Sequence, residues 1–207
     1  MLATTCDSVA QFFRSFRRTT PFPVEILLPG VLILFAWPLL RIWLDGARTA
    51  FMVAFVLGMG LRLAMKSRLM ITRTRAHVSG PATVALILLA GPGALGLLIW
   101  SAEPLLCQRF LSLYFAFAAA LYAIDVVDGS YAINRLRWPQ PEMRGTDAVL
   151  TRVMVIYNLA MVLANEALIH HASQTTWLLY FGLLPLVSNL IRTALVRRVQ
   201  ESYGAGA

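Results

Sequence analysis

Residues 109–137 read RFLSLYFAFAAALYAIDVVDGSYAINRLR, an apolar run bracketed by arginines and interrupted only near its end by Asp125 and Asp128. A bilayer core is about 30 Å thick, and a helix of roughly 20 apolar residues crosses it. Residues 109–127 meet that length. A strand is excluded, because in lipid the backbone has to satisfy its own hydrogen bonds. The stretch therefore predicts a membrane-spanning helix, with acids and a cluster of cations at one end.

Five other stretches pass the same test: residues 23–44, 47–63, 81–100, 150–169 and 176–195. The composition of the 207-residue chain agrees, with 58% hydrophobic and 14% charged residues and a mean hydropathy of +0.69. A soluble domain averages about 45–50% apolar and about 25% charged. Disorder needs low hydrophobicity and is excluded too. Cys6 and Cys107 are too few and too far apart for a disulfide framework or a zinc site. The fold class expected is all-α, a polytopic transmembrane helical bundle of six spans.

The 18 Lys and Arg residues set the orientation. Arg14, Arg17 and Arg18 precede the first span, and Arg41 and Arg48 fall in the first connection. The second connection holds Arg62, Lys66, Arg68, Arg73 and Arg75, and the third only Arg109. The fourth holds Arg135, Arg137, Arg144 and Arg152, the fifth none, and the tail Arg192, Arg197 and Arg198. Alternate segments place fifteen cations on one side and three on the other. The positive-inside rule assigns the fifteen to the cytoplasm, so both termini are expected inside. The net charge of +8 is thereby a statement of topology. Anionic inner-leaflet lipids are the expected partners of Arg14, Arg17, Arg18, Arg62, Lys66 and Arg68. Nucleic acid is not, since the basic segments lack interleaved aromatics on a folded platform.

Three regions follow: a cationic N-terminal segment 1–22, a transmembrane domain 23–196 and a short cytoplasmic tail 197–207. The first twenty residues do not read as a cleaved signal, because the apolar stretch after them is too long and no small-residue cleavage pattern follows. Val9, Phe12, Phe13 and Phe16 recur at i, i+3, i+4, i+7, with the arginines largely opposite. That pattern predicts an amphipathic helix lying on the inner leaflet, capped by Asp7 or Ser8. The alternative is a cationic arm held only electrostatically.

Ala116, Ala119, Ala120 and Ala123 recur at helical spacing in the fourth span. Small residues let helices approach closely, so this face is expected to pack inside the bundle. Gly91, Pro92, Gly93 and Gly96 interrupt the third span midway, and Pro29, Gly30 and Pro38 do so more weakly in the first. A broken helix lines the substrate site of many transporters, whereas a plain kink is the commoner outcome. Asn158, Asn165 and Asn189 are the residues available to line a small polar cavity in a solute or lipid transporter.

Asp125, Asp128, Gly129 and Ala132 form D-x-x-D-G-x-x-A, which resembles the opening of the CDP-alcohol phosphatidyltransferase signature. The resemblance implies paired aspartates holding a divalent metal over a nucleotide pyrophosphate. The pattern then departs: Ile133 stands where an arginine is expected, Gly145 and Asp147 lie outside the spacing, and the second aspartate pair is absent. The opposing reading is a helix end whose acids are neutralised by Arg135, Arg137 or Arg152.

Near the end of the fifth span, Asn165-Glu166 is followed by His170 and His171. Glu166 and His170 are one helical turn apart. A carboxylate in or at the membrane is a functional hypothesis by default, because burying its charge is expensive. Metal or haem would need more ligands, and His77 is assigned to the opposite side; a proton-linked or a structural role is left for Asn165 and Glu166, a helix-to-helix polar contact being the favoured one.

Asn165-Glu166, then Ser173, then Trp177 resemble the N-E-x6-S-x3-W stretch of the intracellular septation protein A family. The run of residues 181–186, Phe-Gly-Leu-Leu-Pro-Leu, is similar to that family's next element. Residues 45–54, Glu25 before Leu-Pro-Gly, and Pro139-Gln140-Pro141 match more loosely. The resemblance implies a divergent member of a bacterial inner-membrane envelope family. It implies a non-enzymatic scaffold or accessory subunit without a cofactor, associating with other membrane proteins or with itself. Asn165, Glu166, Ser173 and Trp177 would be its signature, with Ser173 capping the sixth helix and Trp177 an interfacial anchor.

Overall fold

The structure is a computed structural model describing residues 27–77, 81–133 and 145–203, with side chains described at all of these except 66–77, 81–88, 90, 91 and 203. Among the described residues there are six principal helices and no strand: α1 (Leu28–Trp43), α2 (Ala47–His77), α3 (Pro81–Ser101), α4 (Pro104–Asp128), α5 (Asp147–His171) and α6 (Gln174–Tyr203). Four stretches are long and apolar enough to cross a membrane: Ala47–Met65, Pro104–Asp128, Asp147–His171 and Gln174–Ser202. Leu28–Trp43 and Pro92–Ser101 are shorter apolar helical stretches. The 16 residues of α1 rise about 24 Å at 1.5 Å each.

Helix ends depart from hydropathy ends. α2 was expected to stop at residue 63, yet it runs on to His77. Leu, Met, Ala, Lys and Arg in that extension are good helix formers although the segment is no longer apolar. For the same reason α6 continues past residue 195, through Arg197 and Arg198, to Tyr203. α4 starts at Pro104, five residues before the expected boundary; proline is suited to the first helical position because its missing N–H is unneeded there. Asp147 supplies an acid to the first turn of α5, where it complements the helix dipole. α3 is unbroken from Pro81 to Ser101 with Pro92 inside it, so the glycine–proline cluster does not divide that helix.

The chain forms two compact units. One comprises the described residues within 24–109 and 168–185. Its core is aromatic: Trp37 from α1, Phe51 and Phe55 from α2, and Trp177 and Phe181 from α6 are all buried. Trp37 meets Phe51 edge to face at 6.4 Å. Trp177 and Phe181, one turn apart, lie nearly parallel at 5.3 Å, and Phe55 approaches Phe181 at 5.1 Å. Such pairs add to plain burial through their quadrupoles. Beside this cluster Gly30 of α1 meets Gly182 of α6 backbone to backbone, and Gly58 of α2 receives the end of Ile33.

The other unit comprises the described residues within 110–167 and 186–207. Leu111, Phe115, Ala119 and Tyr122 form the buried stripe of α4, and Leu150, Met154, Tyr157 and Met161 that of α5. Tyr157 donates to Ser188 Oγ of α6 at 2.7 Å. Of the alanines expected to pack, Ala119 is buried and Ala123 half-buried, while Ala116 and Ala120 are exposed. The buried stripe is turned toward the bulkier Phe115 and Tyr122, which gain more contact on burial than alanine does. Large apolar side chains such as Phe35, Phe117, Val127 and Leu163 are exposed, an arrangement suited to lipid as solvent.

Candidate functional site

Three polar side chains converge between α4 and α5. Asn165 is fully buried, Ser112 is 7% exposed, and Glu166 is half-buried. Asn165 Nδ2 donates to Ser112 Oγ at 2.8 Å, and Ser112 Oγ donates to Glu166 Oε1. The serine hydroxyl thus accepts from the amide and donates to the carboxylate, using both of its capacities. Ser112 stands a little more than two turns into α4, while Asn165 and Glu166 stand less than two turns from the end of α5. The node is built from apolar helices that each contribute polar groups at one level. Cross-helix hydrogen bonds of this kind are each worth about 1 kcal/mol in a membrane.

Asp125 does a different job. It is 3% exposed, and its Oδ1 accepts from Ser130 Oγ at 3.1 Å and from the Ala132 amide at 2.9 Å. Its Oδ2 accepts from the Ile133 amide at 2.9 Å. Both oxygens therefore close the loop that follows α4, where Gly129 and Tyr131 take positive φ values of 63° and 49°. Asp128 is exposed. The two aspartates of the D-x-x-D-G motif are thereby differently engaged, and among the described residues no three His, Cys, Asp or Glu side chains are grouped to hold a metal ion.

The four-residue signature divides between the units. Asn165 and Glu166 meet Ser112, whereas Ser173 and Trp177 belong with residues 168–185. Ser173 Oγ accepts from the Thr176 amide at 3.1 Å, capping α6. Trp177 is fully buried between Phe51 at 5.7 Å and Phe181, so its indole is a core group and not the interfacial anchor expected. Of the six cations assigned to anionic lipid, Arg14, Arg17 and Arg18 and the side chains of Lys66 and Arg68 lie outside the described residues. The Arg62 guanidinium lies 4.9 Å from the centre of the Phe181 ring, a cation–π contact inside its own unit. The amphipathic helix expected within residues 1–22, Arg135, Arg137 and residues 139–141 also fall outside the described residues.

Sequence reasoning missed Ser112. The signal was there: it is the one small polar residue between Arg109 and Asp125. It also missed Arg48, whose Nε donates to the Ala102 carbonyl at 2.8 Å and whose Nη2 meets Glu103 Oε2 at 2.9 Å. That pair joins the start of α2 to the α3–α4 turn.

No family model, curated protein or solved structure matches the chain.

Proposed function

We propose that this chain is a non-enzymatic scaffold or accessory subunit of the bacterial inner membrane, acting in cell-envelope maintenance or septation. In this reading it has six spans with both termini in the cytoplasm and an amphipathic N-terminal helix on the inner leaflet. Its partners are anionic inner-leaflet lipids and other membrane proteins or further copies of itself.

The observation that carries the reading is the Ser112–Asn165–Glu166 node. Polar groups within helices of membrane length are expensive and usually functional, and here they bond one helix to the next. A scaffold needs helices held in one fixed register, which such a node supplies. The use of both Asp125 oxygens in closing a loop favours this reading over a phosphatidyltransferase.

Glu166→Gln keeps the size of the side chain and removes its charge. It is expected to weaken the node by about 1 kcal/mol and to reduce the partner proteins that co-purify from native membranes in mild detergent. Ser112→Ala should match it. Unchanged co-purification and a wild-type envelope in both variants would overturn the assignment of the node to assembly.

The orientation has its own test. A cysteine placed at Ser173, in the α5–α6 connection, is expected to react with a membrane-impermeant maleimide added to intact spheroplasts. Reaction only after the membrane is opened would overturn the six-span, N-in arrangement.

A further inference from the structure

The most exposed aromatic side chains of the unit formed by 24–109 and 168–185 are two tryptophans at one end. Trp43, the last residue of α1, is 81% exposed, and Trp100, next to last in α3, is 85% exposed. Trp37 and Trp177, by contrast, are buried against phenylalanines.

Two hydrogen bonds of Arg48 fix the level at which the two indoles sit. Trp43 is followed by the turn at Leu44, Asp45 and Gly46, whose φ of 113° reverses the chain into α2. Arg48, in the first turn of α2, bonds to the carbonyl of Ala102 and to Glu103. Trp100 lies two residues before Ala102, so both indoles come to the end where Arg48 meets Glu103. Along α1 the large exposed hydrophobic side chains before Trp43 are Leu28, Val31, Phe35, Leu39 and Ile42; the one exposed charge is Arg41 in the last turn, whose guanidinium lies 5.5 Å from the centre of the Trp37 ring. After Trp43 come Asp45 and Arg48. Along α3, Leu97 and Ile99 are exposed before Trp100, and the Arg48–Glu103 pair lies just beyond it. On two helices the exposed surface passes from apolar side chains to a level, about one turn deep, where an indole stands among ionic groups.

Resting on the membrane reading above, we infer that Trp43 and Trp100 sit at the boundary between acyl chains and phospholipid headgroups and set the depth of this end of the protein. An indole has an apolar body and one N–H donor, which suits a level where hydrocarbon gives way to ester and phosphate oxygens. A bilayer imposes the same apolar-to-ionic transition on every helix that meets it. A protein partner has no reason to repeat it at one level on two helices.

The test uses the full chain with 5-fluorotryptophan at its five tryptophans, reconstituted in phosphatidylcholine–phosphatidylglycerol vesicles. Trp43→Phe and Trp100→Phe each delete one fluorine resonance and so assign it. Nitroxides carried on the lipid headgroup are expected to broaden both resonances more than nitroxides at the chain terminus, while the Trp37 and Trp177 signals persist. Stronger broadening by the chain-terminal label would overturn the inference. So would broadening by a water-soluble relaxation agent alone, or protection from every lipid label together with broadening by a nitroxide-labelled second copy. Flotation of the vesicles separates two kinds of failure: protein that does not float overturns the membrane reading itself, whereas protein that floats with misplaced indoles overturns this inference only.

Discussion

Gly30→Ala is expected to be the most damaging glycine-to-alanine change among the described helices. A Cβ at Gly30 would lie 2.2 Å from the carbonyl oxygen of Gly182, so the backbones have to part by about 1 Å to reach van der Waals distance. A backbone carbonyl within α6 cannot swing aside as a side chain can. The separation would also loosen the packing around Ile33, and overpacking of this sort costs about 1–3 kcal/mol, with the upper end expected where backbone is struck. The reverse change serves as a control. A Cβ at Gly182 meets Gly30 O at 3.4 Å and Ile33 Cβ at 3.8 Å, ordinary contacts, so Gly182→Ala is expected to be close to neutral. Gly58→Ala should fall between, because its Cβ would strike Cδ1 and Cγ1 of the buried Ile33 side chain, which can turn where a backbone carbonyl cannot. Thermal unfolding in detergent checks the order. Equal losses for Gly30→Ala and Gly182→Ala would contradict this account of the α1–α6 crossing.

The second large effect is expected at Trp177→Ala. This indole is fully buried and has Phe51, Phe55 and Phe181 within 5.3–6.3 Å, centre to centre. Truncation removes the group that links the aromatic pairs of α2 and α6. Loss of a buried Trp side chain typically costs about 3–5 kcal/mol. Trp177→Phe keeps an aromatic ring in place and should recover most of that loss in the same unfolding measurement. An interfacial tryptophan would behave otherwise: alanine there would shift the depth of insertion and leave the unfolding midpoint nearly unchanged.

These two sites show where the sequence was readable and where it was not. The apolar runs located the six principal helices among the described residues, four of which are long and apolar enough to cross a membrane. Their ends were less legible, since hydropathy falls at residue 63 while helix propensity does not, and α2 continues to His77. The Ser173 cap was legible from local geometry. The surroundings of Trp177 were not: a tryptophan near a helix end has the same sequence appearance whether it faces headgroups or a phenylalanine cluster. Gly30 read only as a weak interruption of an apolar run, because its meaning lies in a helix more than 140 residues away. The alanines of α4 share a helical face, but side-chain bulk and the anchoring of Ser112 and Asp125 decide which way α4 is rotated.

The aromatic cluster also carries a consequence for how the chain is made. Phe51 and Phe55 leave the ribosome long before the residues they pack against. Trp177 and Phe181 follow them by about 120 residues, which at synthesis rates of about 5–20 residues per second is a wait of roughly 6–25 s. During that interval α1 and α2 have Trp37 against Phe51 but no α6 to close the cluster. The newborn hairpin therefore keeps its phenylalanines uncovered until α6 arrives. A ribosome halted before Trp177 would leave the aromatic surface of α1 and α2 open.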